Sequence, residues 1–137
     1  MSEPTTRLPL NLRAGFWALL LFATLGLLLE TFHGLKLGLY LDVSNETRRL
    51  LWRLGHAHGT LLGLVNVCYA LAARSWPQLQ DRLAERALLC ALLLMPLGFL
   101  LGGAFAQGGD PGASVGLAVA GGVALLVGLG SIARKAT

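Results

Sequence analysis

Four long apolar stretches run through this chain, and nearly all its charged residues lie between or beyond them. They cover about 14–33, 54–73, 87–106 and 113–133, and each holds the roughly 20 helical residues needed to cross a hydrocarbon core of about 30 Å. Strict apolar/polar alternation is absent, so helices rather than strands are expected. The connectors carry breaking and capping chemistry. Between the first two stretches Asp42, Ser44, Asn45 and Glu46 read as a turn, with Ser44 or Asn45 capping the next helix and Glu46 in its first turn. Ser75 and Pro77 suit a helix start before the third stretch, and Gly108, Gly109, Pro111 and Gly112 break the chain before the fourth. The first stretch is too long for a secretory h-region and is followed by no small-x-small site, so it is read as a helix. The expected fold is an all-α membrane protein with four transmembrane helices, arranged as two antiparallel helical hairpins forming one bundle over 1–137.

Composition agrees with that pattern. Of 137 residues, 55% are hydrophobic and 13% are charged, about half the charge of an ordinary soluble domain. That shortage excludes a disordered chain, a coiled coil and a nucleic-acid-binding tail. The net charge of +4 reflects residues that flank apolar stretches. Arg7, Arg13, Arg74, Arg82, Arg86, Arg134 and Lys135 gather at one end; Lys36, Arg48, Arg49 and Arg53 gather at the other. The richer end is expected in the cytoplasm, with both termini inside and both hairpin tips outside a bacterial-type plasma (inner) membrane.

Small residues mark the expected packing faces, because helices in lipid associate through close approach and interhelical hydrogen bonds. Gly116, Ala120, Ala124 and Gly128 form a four-residue repeat on the last helix. Gly55, Gly59, Gly63 and Ala70 share a face with Asn66 on the second, and Gly15, Phe22, Gly26, Glu30 and His33 share one on the first. Pro96 is expected to kink the third helix. Such faces serve a tight bundle, a homo-oligomer or assembly with other membrane subunits. Cys68 and Cys90 have no ligand-like spacing and read as small buried hydrophobes.

The candidate chemistry is concentrated where the first two helices meet. Glu30 precedes His33 by one helical turn, and His56 and His58 begin the second span. Glu30 and His56 are each about 13 residues from Val43, so an antiparallel hairpin brings them to similar depth. His56 and His58 lie about 200° apart around a helix, so they do not form one bidentate pair. Glu30, His33, His56 and, from another side, His58 are the candidate metal ligands. A Glu-x-x-His pair with a histidine from a neighbouring helix suits iron, copper or zinc. His33 and His56 could instead hold a haem for electron transfer or sensing, with Arg49 and Arg53 near its anionic groups. Three readings compete with these: an ion-paired network of Glu30 with Lys36, Arg49 and Arg53; a proton relay in a proton-coupled transporter; and a small accessory or scaffolding subunit. The sequence holds no phosphate-binding loop, no Cys-x-x-Cys-His string and no nucleophile elbow, so nothing in it marks an enzyme.

Overall fold

The computed structural model describes residues 8–136; Arg7, counted above for orientation, lies outside them. The elements are α1 (Leu10–Gly34), the single turn α2 (Gly38–Leu41), α3 (Glu46–Ser75), α4 (Arg82–Ala104) and α5 (Gly116–Lys135). No strand occurs among the described residues. Three helical segments, Leu10–Gly34, Arg82–Ala104 and Ala113–Lys135, are long and apolar enough to cross a membrane. By helix length and composition the chain is an integral membrane protein.

The long helix α3 is the exception, and its position explains why. It has 30 residues, about 45 Å of helix, yet carries four arginines, two histidines and an asparagine. It is flanked by α1 on one side and α4 on the other. His56, His58 and Asn66 are turned toward α1 or α4, whereas Arg53 and Arg74 are exposed toward the helix ends, and low hydropathy costs little where lipid is kept away.

Local sequence sets the helix ends. Asn45 caps α3, its Oδ1 accepting from Arg48 N, while Asp42 accepts from Ser44 in the preceding turn. The start of α4 differs from expectation. Ser75 closes α3, Pro77 opens a 3-10 turn, and Asp81 caps α4 by accepting from Leu83 N. Beyond α4, Gly108 and Gly109 take positive φ values of 55° and 89°, a conformation that favours glycine. The helix α4 runs unbroken through Pro96.

The helices form an open row, α1–α3–α4–α5, in which α1 touches α4 slightly and does not meet α5. A closed bundle would bury the outer faces of α1 and α5. Here Leu20, Leu21 and Leu27 of α1 and Val119, Val123 and Leu126 of α5 remain exposed. In lipid such faces need no protein cover, so hydrophobicity does not drive closure. Two of the expected packing details change. The seam of α5 uses Ala118, Gly121, Gly128 and Ser131, whereas Gly116 and Ala120 are exposed. Cys68 and Cys90 are exposed on the helix surface rather than buried.

At the tip end, Asn45 Nδ2 donates to Ala106 O and Thr47 Oγ1 to Gly109 O, tying the two connectors together. At the end bearing the termini, Asp81 plays that part. Its carboxylate accepts from Ser131 Oγ and lies 3.6 Å from Lys135 Nζ, while its backbone meets the Tyr69 hydroxyl. The Ser131 hydroxyl, the Leu83 amide and the Lys135 ammonium hold the Asp81 carboxyl below its usual value of 3.8, against a smaller opposing effect of burial.

Candidate functional site: a charged cleft between α1 and α3

Rings resting on glycines build the seam between α1 and α3. The Phe22 ring lies over Gly59, and the His56 ring lies over Gly26, where a Cβ would fall 2.4 Å from His56 Cε1. The His56 ring is fixed further by a 2.7 Å hydrogen bond between Nδ1 and Phe22 O. A carbonyl only accepts, so Nδ1 carries the proton and Nε2 of the neutral ring is left as an acceptor.

Beyond Gly26 the helices part and a cleft opens, with a volume of about 430 Å³. Its charged and polar lining is Glu30, Arg53, His56 and Tyr40; Leu29, Leu54 and Ala57 give it an apolar side. An adjoining hollow of about 320 Å³ shares Glu30, Tyr40 and Arg53 and adds His33 and Arg49. Sequence counting from the turn thus placed Glu30 and His56 together, and they line the same cleft. The expected ion-paired network does not form. Arg49 pairs with Glu46 at 3.4 Å, and among the described residues the side chains of Glu30 and Arg53 make no hydrogen bond or ion pair.

His33 is exposed, with its ring edge-on to Tyr40 at 6.3 Å between centroids. His58 stands apart from the other three. Its Nδ1 lies 2.9 Å from Leu54 O within α3, and its ring packs on Phe99 of α4 at 4.9 Å. That is the opposite side of α3, as a two-residue separation on a helix requires. Among the described residues no three histidine, cysteine or acidic side chains gather to hold a metal ion.

Two residues in the polar architecture escaped the sequence reading. Tyr40, in the connector between the first two spans, is only 5% exposed and stacks on Trp52 with 6.4 Å between ring centroids. Asn11 lies before the first expected span, yet it is buried. Its Nδ2 donates to Asn66 Oδ1 at 2.8 Å and to Glu85 O at 3.1 Å. Asn66, fully buried, donates in turn to Leu88 O of α4, so the pair joins three helices. Interhelical bonding was the structural role expected of Asn66; nothing in the helical pattern marked Asn11 as its partner.

No protein-family model matches the chain, and neither a curated protein nor a solved structure matches it.

Proposed function

We propose that the protein crosses the membrane four times, with both ends cytoplasmic, and binds a small charged ligand in the α1–α3 cleft at the outer interface. The observation that carries this reading is the convergence of a carboxylate, a guanidinium and an imidazole on one cleft without pairing. Charged groups near hydrocarbon are costly unless something compensates them. Glu30 and Arg53 remain available to a ligand that does so. The fourth crossing is α3, whose His56, His58 and Asn66 pack against α1 or α4 while its arginines lie toward the helix ends. The excess of Arg and Lys at the terminal end supports the orientation.

A transition metal is the second reading, favoured by the His56 hydrogen bond. An Nδ1–H donated to a carbonyl is the usual way to orient a metal-binding imidazole through Nε2. The cleft offers it two protein donors, Glu30 and His56, with His33 reached only through the adjoining hollow. Haem fits less well, because the His56 ring is seated tightly on Gly26. The accessory-subunit reading draws on the exposed faces of α1 and α5, which lipid covers equally well.

The test is a ligand screen by thermal unfolding of the detergent-solubilised protein, beside a Glu30→Gln/His56→Gln variant. Zinc, copper, ferrous iron, phosphoethanolamine and dispersed phospholipid are the probes. A ligand bound by the folded state alone stabilises it by about 2.7 kcal/mol at one hundred times its Kd. The cleft reading expects at least one probe to raise the midpoint of the parent and not of the variant. If every probe treats the two alike, the cleft is not a binding site.

A further inference from the structure

We infer that the ligand of this cleft is the headgroup of a phospholipid carrying a phosphate and a primary ammonium, of the phosphatidylethanolamine class. The inference rests on the cleft reading and names its ligand. Three features point to it. The charges come in both signs: Glu30 faces the cleft from α1 and Arg53 from α3, beyond ion-pair distance of each other. Bare metal ions and simple anions each satisfy one sign and leave the other unmet. A zwitterion satisfies both.

The donors and acceptors also match. A guanidinium takes a phosphate through paired N–H donors. A primary ammonium has three N–H donors, and Glu30 with His56 Nε2 supplies acceptors for them. A quaternary ammonium has no N–H to give. The third feature is the mixed lining. Charged Glu30 and Arg53 are exposed, while Leu29, Leu50, Leu54 and Ala57 line the same cleft. A lipid at the interface presents both kinds of group, a charged head joined to an apolar chain. Arg49, paired with Glu46, lines the adjoining hollow and adds positive charge beside the cleft.

The experiment is native mass spectrometry of the full chain in mild detergent. It is titrated separately with phosphatidylethanolamine, phosphatidylcholine and phosphatidylglycerol of identical chains, and with soluble phosphoethanolamine. The parent is expected to bind phosphatidylethanolamine about tenfold more tightly than either other lipid. Glu30→Gln should bring phosphatidylethanolamine down to the level of phosphatidylglycerol. Arg53→Gln should weaken all three lipids together. Arg82→Gln, on a distant helix end, should change nothing. Circular dichroism of each variant guards against misfolding, and His56→Gln supplies a second, smaller loss of the same preference.

Equal binding of the three lipids by the parent overturns the inference, as does a preference that survives Glu30→Gln. Binding of soluble phosphoethanolamine as tight as that of the lipid assigns the site to a solute and overturns the lipid as ligand. Failure of the inference alone is recognisable: zinc or another probe still distinguishes the parent from the Glu30→Gln/His56→Gln variant in the unfolding screen. If no probe does, the cleft reading has failed as well.

Discussion

The closest backbone approach along the α4–α5 seam is at Gly98, and it makes a sharp test of how the row of helices holds together. A Cβ there would lie 2.3 Å from Ala118 N, 2.9 Å from Leu117 C and 3.0 Å from Ala118 Cα, all of them backbone atoms. Ordinary contact begins at 3.4 Å, so Gly98→Ala requires α5 to withdraw by roughly 1 Å. No rotamer change can relieve it. Withdrawal opens the rest of the seam as well, where Gly121 lies against Met95 and Gly128 against Leu88. Overpacking of this kind costs about 1–3 kcal/mol, and a backbone clash belongs at the upper end. Gly130 is the control. Nothing lies within 4 Å of its would-be Cβ, so Gly130→Ala should stabilise α5 by about 0.5–1 kcal/mol through helix propensity. Reversible unfolding in mixed micelles, followed by far-ultraviolet circular dichroism, measures both. The reasoning is refuted if Gly98→Ala stays within about 0.5 kcal/mol of the parent, or if Gly130→Ala is equally damaging.

Two further outcomes follow from the buried polar contacts. Asn11→Leu strands the Asn66 Oδ1 acceptor and should cost about 1–2 kcal/mol, between the penalty in water-soluble proteins and the smaller values in membranes. An Asn11→Leu/Asn66→Leu pair should cost clearly less than the sum of its singles in the same unfolding assay, and strict additivity would count against the contact. For Asp81 the folded-state pKa lies below the unfolded value of 3.8. Its contribution is therefore complete above that value and is lost as pH falls through the folded pKa. Acid melting curves of the parent should show this loss, Asp81→Asn should flatten it, and an unchanged acid limb would argue against the Ser131 and Lys135 contacts.

What the sequence revealed, and what it hid, divides along physical lines. Helix identity and length follow from composition and capping, which are local, and α1, α4 and α5 were readable for that reason. The apposition of Glu30 and His56 was readable too, because a hairpin fixes depth by counting from its turn. Helix rotation was harder to read. Residues four apart advance about 40° around a helix at each step, so Gly116, Ala120, Ala124 and Gly128 cannot all face one neighbour. The seam instead follows Ala118, Gly121, Leu125 and Gly128, alternating steps of three and four. Asn11 was hidden because its partner, Asn66, is 55 residues away. A polar residue at the edge of an apolar stretch has no local mark of burial.

The open row also accounts for where the cleft lies. Of the four long helices, α1 is held chiefly by α3, with only slight contact to α4. Its seating therefore depends on one seam, closed by Phe22 on Gly59 and His56 on Gly26. Past Gly26 the facing residues are Glu30 and Arg53, which are long, charged and unsuited to close packing. At the far end the chain folds back through α2, and Tyr40 stacks on Trp52. Tyr40 lines both the cleft and the adjoining hollow. The opening is thus bracketed by two aromatic contacts, one with the His56 ring and one with the Tyr40 ring. Both rings are fixed by parts of the chain that do not touch α5, so a change at the α4–α5 seam should lower stability without altering what the cleft binds. Ligand binding by Gly98→Ala at a temperature where it remains folded would show whether these two properties separate.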